Sequence, residues 1–224
     1  GKPKFAMYWA AGCGGCEIAV LNTGPKILDV DAAFDVAFWP VAIEAKVKDV
    51  EALPDGAITL TLFDGGIRSD ENAAMARLLR RKSKVLVAFG SCAMEGCIPG
   101  LSNLTTRQHI IDWVYQDSPS TGNPNRTRPV TRFTVPEGEL EIPEFFETVR
   151  TLAQVVPVDY FVPGCPPQAP RILEVLTAVM TGAPLPPPGS VIGAGDKTCC
   201  EECGRTRNEK RLKRFYRPFE LEPK

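Results

Sequence analysis

The stretch KFAMYWAAGCGGCEIAVL, residues 4–21, predicts a strand, a glycine-rich turn and the start of a helix. Aromatic and other apolar side chains fill residues 4–9, and an apolar run after Glu17 begins a helix that we expect to end near Gly24. The turn between them carries Cys13 and Cys16, separated only by glycines. This spacing fits a disulfide, a zinc ion, a redox dithiol or an iron–sulfur cluster. The choice among these four depends on the rest of the sequence.

The rest of the chain repeats this alternation of strand and helix up to residue 182. The predicted strands are residues 4–9, 35–43, 57–63, 84–89 and 158–162. The predicted helices are residues 70–82, 105–115, 143–155 and 170–180, with Ser69 as the cap of the first of these. Residues 118–136 predict a loop, and Pro40 places its strand at an edge of the sheet. The pattern predicts an α/β fold, with a parallel sheet and helices on both faces.

Composition restricts the class of protein. The 224 residues carry a formal net charge of −1, which argues against a nucleic-acid-binding protein, and no apolar run approaches the roughly 18 residues of a membrane span. No leader is visible, so we expect a cytoplasmic location. The chain has eight cysteines, but disulfide frameworks belong mainly to short secreted proteins. Metal binding or redox chemistry is the better expectation for these thiols.

Four cysteines follow predicted strands. Cys13 and Cys16 come after the first strand, Cys92 follows residues 84–89 and Cys165 follows residues 158–162, while Asp64 ends another strand. The carboxyl ends of parallel strands share one edge of the sheet, where ligands bind. We therefore expect these four thiols to lie together and to form one metal centre.

Four thiolates serve either a zinc ion or a 4Fe–4S cluster. Structural zinc sites usually take two close cysteine pairs, whereas here one pair is combined with two distant single cysteines. Glycines surround the thiols, and Pro166 follows Cys165, a pairing also seen in ferredoxin-type sequences. These features favour the cluster, and zinc or thiol chemistry stays open. A thioredoxin-like dithiol would leave Cys92 and Cys165 unexplained.

Four motifs occur in a specific order: WAAGCGGCE, FDGGIRSDEN, AFGSCAMEGCIPGLSN and PGCPPQAPRI. In this order they resemble the small, electron-transferring subunit of NiFe hydrogenases, in a superfamily shared with the 20-kDa cluster subunit of complex I. The resemblance is greatest to the cytoplasmic methyl-viologen-reducing and deazaflavin-reducing branches, and it continues into the tail, CCEECGRTRNEKRLKRFYRPFE. Complex I subunits typically have a tandem Cys-Cys at the first site, so Cys13-Gly-Gly-Cys16 favours the hydrogenase side.

The resemblance implies a flavodoxin-like domain over residues 1–182, with Cys13, Cys16, Cys92 and Cys165 as ligands of the proximal 4Fe–4S cluster. It also implies a separate large subunit that holds the NiFe centre. The electrons of H2 oxidation would pass to an acceptor subunit of heterodisulfide-reductase-like, flavin or ferredoxin type. The chain would then be an oxidoreductase subunit that is inactive alone. The rival interpretations are a complex I-like electron-transfer subunit without hydrogenase activity and a zinc-stabilised interaction module.

Three residues lie close in sequence to the implied ligands or to the strand ends that carry them: Glu17, Asp64 and Cys97. Asp64 stands where the resembling family often has Glu, and both Asp64 and Glu17 are candidates for proton transfer or for tuning the cluster. Cys97 lies five residues after Cys92, where the family commonly has Gly. We expect Cys97 to be a thiol near the site rather than a ligand.

Residues 183–224 are predicted to be a proline-rich linker followed by an irregular, cysteine-containing tail. Cys200 and Cys203 have the spacing of ligands of a second cluster, and Cys199 is expected to be a bystander. A small zinc site is the alternative. Because the sequence stops within the resemblance, we expect that the chain is truncated. The basic, aromatic run EKRLKRFYRP, residues 209–218, predicts a surface that docks on an acidic protein or is solvated.

Overall fold

The computed structural model describes residues 1–193, 195, 197–206 and 214. It divides the chain into two compact units, residues 1–194 and residues 195–224. Within the described residues, no helix is both long enough and apolar enough to cross a bilayer.

The first unit is built on a five-stranded parallel sheet, which confirms the predicted α/β class. Its strands are β1 (Lys4–Trp9), β2 (Asp35–Phe38), β3 (Ile58–Asp64), β5 (Ser83–Phe89) and β9 (Tyr160–Val162). Their order is β2-β1-β3-β5-β9, so the five strands follow the flavodoxin-like order 2-1-3-4-5. Two small antiparallel sheets accompany it, formed by β4 (Ile67–Ser69) with β8 (Phe145–Arg150) and by β6 (Arg132–Val135) with β7 (Gly138–Glu141).

Helices cover both faces of the main sheet, as predicted. They are α1 (Gly15–Leu21), α2 (Ile27–Ala33), α3 (Val47–Ala52), α4 (Asp70–Lys82), α5 (Ser91–Glu95), α6 (Cys97–Gly100), α7 (Arg107–Asp112) and α8 (Ala169–Thr181). Phe5 and Met7 of β1 pack into a core with residues of α1, α2 and α8, whereas Ala6 packs on the opposite face with residues of α3 and α4. Successive side chains of a strand point to opposite faces, so β1 contributes to both cores.

Short helical turns complete the first unit, and a further helix lies among the described residues of the second. The turns are 3-10 helices at Gly24–Lys26, Leu101–Leu104 and Leu152–Gln154 and a π-helix at Trp113–Asp117 that continues α7. This further helix, α9, is Cys199–Glu202. The predicted cap of α4 is present, because Ser69 Oγ accepts a hydrogen bond from the Asn72 backbone N–H at 3.2 Å.

The helix predicted over residues 143–155 is wrong. The chain forms β8 there instead, because β8 pairs antiparallel with β4. The Asn103 side chain holds the same strand, donating to the Val149 carbonyl at 2.9 Å and accepting from the Val149 N–H at 2.7 Å. These partners lie far away in sequence, so the local helical spacing could not reveal them.

Two other boundaries differ from the prediction. The strand expected over residues 35–43 ends at Phe38, where a turn begins in which the Trp39 carbonyl accepts from two later backbone N–H groups. The strand does lie at the edge of the sheet, as Pro40 indicated. The loop expected over residues 118–136 gives way at Arg132 to strand β6.

The proline-rich residues 183–193 lie along the outer edge of β9. The Phe161 N–H donates to the Ser190 carbonyl at 3.1 Å, and the Ile192 N–H donates to the Phe161 carbonyl at 2.8 Å. The Tyr160 hydroxyl donates to the Pro186 carbonyl at 3.0 Å. The segment therefore satisfies backbone groups that an open sheet edge would leave free.

Candidate metal centre

Four strand ends lie in register at the carboxyl edge of the sheet. Trp9 of β1 pairs with Asp64 of β3, Asp64 pairs with Phe89 of β5, and Phe89 pairs with Val162 of β9. Neighbouring strands are about 4.8 Å apart. Cys13 follows the end of β1, Cys92 follows β5 and Cys165 follows β9. The register therefore brings three cysteine-bearing turns, which are distant in sequence, to one edge of the sheet, here called the rim.

Backbone hydrogen bonds tie the turns of this rim together in pairs. The Ala10 N–H donates to the Asp64 carbonyl at 2.8 Å, which joins the turn of Cys13 to the end of β3. The Gly90 N–H donates to the Val162 carbonyl, and the Ser91 N–H donates to the Gly164 carbonyl, both at 2.8 Å. These bonds join the turn of Cys92 to the turn of Cys165. The loops that carry the thiols are therefore held by one another and not only by the strands.

Gly90 leaves room for a thiol at the centre of the rim. It has φ 83° and ψ 160°, a conformation that is essentially restricted to glycine. A Cβ atom at this position would lie 2.4 Å from Cys16 Sγ and 3.7 Å from a carboxylate oxygen of Asp64. The absence of a side chain at residue 90 is thus what allows Cys16, Asp64 and the turn of Cys92 to approach one another.

The thiols differ in exposure. Cys16 and Cys92 are buried, Cys97 is partly buried, and Cys13 and Cys165 are exposed at the rim. The Gly15 N–H donates to Cys13 Sγ at 3.4 Å, a contact of the kind that tunes metal-bound sulfur. The Cys97 thiol raises the pKa of Cys165, first as a hydrogen-bonding neighbour and then through its charge. Residue 97 also has a left-handed backbone, with φ 40°.

The charges of the rim thiols and of Asp64 affect the pKa values of the two buried thiols. Burial raises the pKa of Cys92 to about 12, and the charges of Cys97, Asp64, Cys165 and Cys13 contribute to that rise. Burial also raises the pKa of Cys16 far above its ordinary value, with the Asp64 carboxylate as the next cause. Unliganded, the two buried thiols are therefore neutral.

Asp64 is the buried acid of the rim. Burial raises its pKa, while hydrogen bonds from the Cys16 thiol and the Gly65 N–H oppose that shift. Its Oδ2 atom is buried and has no hydrogen-bond partner within the described residues. An unpaired buried carboxylate oxygen is costly, so this position suits a further donor or a cation.

Glu17 is buried beside the same rim, and its Oε1 atom accepts a hydrogen bond from the Trp39 Nε1–H at 3.1 Å. Burial raises the pKa of Glu17, the Trp39 hydrogen bond lowers it, and the Asp64 charge raises it. The carboxyl group of Glu17 therefore senses the charge of Asp64. Trp39 was not predicted to contact the site, and its strand-like surroundings gave no signal of this partner.

Arg68 is a second residue that sequence reasoning missed. Its guanidinium is buried, donates to Ser102 Oγ at 3.0 Å and lies over the Phe145 ring, 5.3 Å from the centroid. Its Nη2 atom has no hydrogen-bond partner in the described part of the chain. The arginine immediately after the DGGI turn could have been singled out, because it lies only four residues beyond Asp64.

The donor set fits a thiolate-ligated group. Metal binding deprotonates a coordinating thiol outright, so iron would replace the protons of the buried thiols. In the described ranges, no group of three or more His, Cys, Asp or Glu side chains could hold a metal ion. In a 4Fe–4S cluster each thiolate binds a different iron atom, so the ligand sulfurs need not meet at one point. The Cys16 thiol that packs against Gly90 and the converging cysteine turns suit such a group.

The second unit carries the remaining cysteines. Cys199 and Cys200 belong to α9, Cys203 follows it, and all three thiols are exposed. The predicted docking run, residues 209–218, lies outside the described residues apart from residue 214.

The family model described as NADH ubiquinone oxidoreductase, 20 Kd subunit, matches residues 13–179. The chain belongs to this family. The match begins at the first cysteine of the rim and ends within α8, so it covers the whole candidate metal centre. The predicted membership is confirmed.

Relatives in this family include hydrogenase subunits. The iron-sulfur subunit of an F420-non-reducing hydrogenase from Archaeoglobus profundus is 41% identical over 90% of this chain and 63% of its own length. A vhu subunit of an F420-non-reducing hydrogenase from Methanocaldococcus jannaschii is 30% identical over 98% of this chain and 68% of its own length. The delta subunit of the NAD-reducing hydrogenase HoxS from Cupriavidus necator is 26% identical over 85% of both chains. This chain thus spans about two thirds of the length of the first two of these relatives.

Solved hydrogenase structures contain chains whose fold is similar to that of this chain. A chain in the structure of an NAD+-reducing [NiFe]-hydrogenase in the H2-reduced state matches with a TM-score of 0.69 and 26% identity, over 84% of this chain and 96% of that chain. A chain of the [NiFeSe] hydrogenase from Desulfovibrio vulgaris Hildenborough matches with a TM-score of 0.51 and 14% identity, over 79% of this chain and 59% of that chain. The latter likeness concerns the fold alone.

Proposed function

We propose that this chain is the electron-transferring small subunit of a NiFe hydrogenase. Cys13, Cys16, Cys92 and Cys165 would hold its proximal 4Fe–4S cluster, and the NiFe centre would lie in a large-subunit partner. The observation that carries the proposal is the register of the four strand ends, which gathers these cysteine turns at one rim. The relatives support it, because several of them are named as hydrogenase subunits and one as an iron-sulfur subunit.

The residues of the rim have distinct roles in this proposal. When bound, the cluster would supply a one-electron carrier between the large subunit and an acceptor. The Gly15 N–H donates to the Cys13 sulfur and would tune the potential of the site. Asp64 and Glu17 place two buried carboxyl groups beside the thiols, where they can hold protons.

We place the protein in the cytoplasm, with an acceptor subunit of heterodisulfide-reductase-like, flavin or ferredoxin type downstream. Residues 1–182 would form the cluster domain, and Cys200 and Cys203 would contribute to a second cluster in the segment that follows. Isolated, the chain should not turn over hydrogen.

The test is anaerobic co-purification of the chain with its large subunit, followed by iron, labile-sulfide and nickel analysis and by EPR of the reduced complex. Cys165→Ser should remove or convert the proximal cluster and lower the iron content, because it removes one of four thiolates. Cys199→Ser is the matched control and should leave the proximal signal unchanged. Unaltered iron and EPR in the Cys165 variant would refute the ligand assignment.

A complex I-like electron-transfer subunit is the second candidate, because the family is described by a subunit of NADH ubiquinone oxidoreductase. The nickel measurement separates the two, since a complex I-like assembly would contain clusters but no stoichiometric nickel. A colourless protein that contains only zinc would instead indicate an interaction module.

A further inference from the structure

Residues 91–104, here called the Cys92 loop, lie between β5 and α7 and carry two of the thiols. Cys92 is near the start of the loop, and Cys97 is near its middle. The loop contains only short helical elements, namely α5, α6 and the 3-10 helix at residues 101–104. Helices of one or two turns gain little stability from their own hydrogen bonds, so the position of this loop depends on its contacts with the rest of the chain.

The start of the Cys92 loop is held by the turn of Cys165. The Ser91 N–H donates to the Gly164 carbonyl at 2.8 Å, and the Gly164 N–H donates to Ser91 Oγ at 3.3 Å. Ser91 itself is buried. These bonds fix the residue next to Cys92, but the other end of the loop needs an attachment of its own.

Two side-chain contacts, here called the clamp, hold the far end of the Cys92 loop. In the first, the Asn103 amide donates to the Val149 carbonyl at 2.9 Å and accepts from the Val149 N–H at 2.7 Å. In the second, Arg68 Nη1 donates to Ser102 Oγ at 3.0 Å, and that hydroxyl donates to the Pro99 carbonyl at 2.7 Å. Arg68 belongs to β4 and Val149 to β8. Both strands of this small sheet therefore grip neighbouring residues of the loop.

The groups that form the clamp are themselves held in place. Arg68 is only 7% exposed, and its guanidinium lies over the Phe145 ring, 5.3 Å from the centroid. Val149 is buried within β8, and the Asn103 amide pairs with both of its backbone groups, as a neighbouring strand would. Because buried groups that pair this way have little freedom to move, the clamp is a rigid support for the loop.

The clamp also reaches the turn of Cys13. Val149 packs on Gly66, since its Cγ1 atom would lie 2.7 Å from a Cβ placed on that glycine. The Gly66 N–H donates to the Ala11 carbonyl at 2.8 Å, and the Ala11 N–H donates to the Gly66 carbonyl at 3.0 Å. The Cys92 carbonyl would lie 3.7 Å from the same Cβ. The turn of Cys13, the start of the Cys92 loop and the clamp therefore meet at one glycine.

We propose that Asn103 and Arg68 are positioning residues for the proximal cluster. They hold the Cys92 loop against β4 and β8 and so fix Cys92 relative to the turn of Cys13. This inference rests on the proposed function, because the cluster is the group whose ligands are positioned. With the clamp opened, the loop moves more freely and water reaches the rim. Reduction adds negative charge to a cluster bound by thiolates, so water at the rim stabilises the reduced state and raises the reduction potential.

Hydrogen exchange of the metal-free full chain tests whether the clamp holds the loop. Asn103→Ala removes both hydrogen bonds to the Val149 backbone. The backbone amides of residues 96–104 should therefore exchange at least about tenfold faster than in the wild type. Ser102→Ala removes the hydroxyl that Arg68 contacts, is the milder variant, and should change exchange in the same direction. It provides the test if the Asn103 variant does not fold.

Asn123→Ala is the matched control. The Asn123 amide donates to the Tyr115 and Thr127 carbonyls at 2.6 and 2.7 Å, and its oxygen accepts from the Thr127 N–H at 3.0 Å. The substitution thus removes the same kind of side-chain bonds from a loop, but these bonds lie within residues 115–127 and outside the cysteine-bearing turns. Residues 96–104 should exchange in this variant as in the wild type.

An EPR-monitored redox titration of the reconstituted full chain tests whether the clamp positions the cluster. Asn103→Ala should raise the midpoint potential and shift the g values of the reduced cluster, and Ser102→Ala should do so to a smaller extent. Asn123→Ala should leave both quantities unchanged. A residue that only supports the fold would lower the yield of folded protein without changing the potential or the g values of the clusters that form.

The two measurements separate this proposal from the proposed function. Unchanged exchange of residues 96–104, or an unchanged potential, in both clamp variants would overturn the positioning role. An equal effect of Asn123→Ala would overturn it too, because the effect would then be a general loss of stability. A wild-type chain that binds no iron–sulfur would refute the proposed function, whereas a normal wild-type cluster with an unshifted potential in the clamp variants would refute only the positioning.

Discussion

The Gly90→Ala substitution tests the packing of the thiol rim most directly. The backbone conformation of residue 90 is essentially restricted to glycine, and a non-glycine residue there costs about 1–3 kcal/mol. The new Cβ would also lie 2.4 Å from Cys16 Sγ, and overpacking of this kind costs about a further 1–3 kcal/mol. We therefore expect the free energy of unfolding to fall by about 2–6 kcal/mol.

Gly182→Ala is the matched control for this experiment. Gly182 also has a positive φ, 65°, but a Cβ there would have no neighbour within 4 Å. Its cost should be only the backbone strain, about 1–2 kcal/mol. Urea denaturation under anaerobic reducing conditions, followed by circular dichroism, measures both variants, and iron content after cluster reconstitution reports on the site.

The difference in stability combines the contact with Cys16 and the larger backbone strain at residue 90, and the iron content reports on the contact. We expect Gly90→Ala to lose more stability than Gly182→Ala and to bind less iron, because the methyl group displaces one of the proposed ligands. Equal losses in the two variants, with iron unchanged, would refute the reasoning that the Cys16 thiol lies against residue 90.

Three further substitutions probe the site and its support. Asp64→Asn should preserve cluster assembly but raise the reduction potential, because it removes negative charge near the thiols; an EPR-monitored redox titration measures this, and loss of iron would instead indicate that Asp64 is a ligand. Cys97→Ala should leave iron content and the EPR spectrum unchanged, and a lost cluster would show that Cys97 was wrongly excluded from the ligands. Ser69→Ala removes the side-chain cap of α4 and should lower the free energy of unfolding by about 0.5–2 kcal/mol in urea denaturation, whereas Ser69→Thr should retain most of that stability.

Part of the candidate site could be predicted from the sequence, and part of it could not. The positions of Cys13, Cys92 and Cys165 just after strands were visible as patterns, and the sharing of one edge by parallel strand ends is a general property of such sheets. The contact of Cys97 with Cys165, the Trp39 hydrogen bond to Glu17 and the buried Arg68 were not visible. Each depends on where a loop folds back, and no local pattern encodes that.

The sequence by itself determined the local elements whose signals are short-range. Strand β1 runs over residues 4–9 as predicted, and α4 begins after Ser69, because β-forming residues and a capping side chain act through their immediate neighbours. The order of strands and helices followed largely from the same signals.

Only the tertiary structure decided the conformation of residues 143–155 and of residues 183–193. Residues with helical spacing became β8 because the β4 backbone and the Asn103 side chain, both distant in sequence, offered hydrogen bonds to its backbone. The proline-rich residues 183–193 lie beside β9 because that edge of the sheet had backbone groups to pair. In both places the energy of a long-range hydrogen-bonding partner outweighed the weak local preference of the chain.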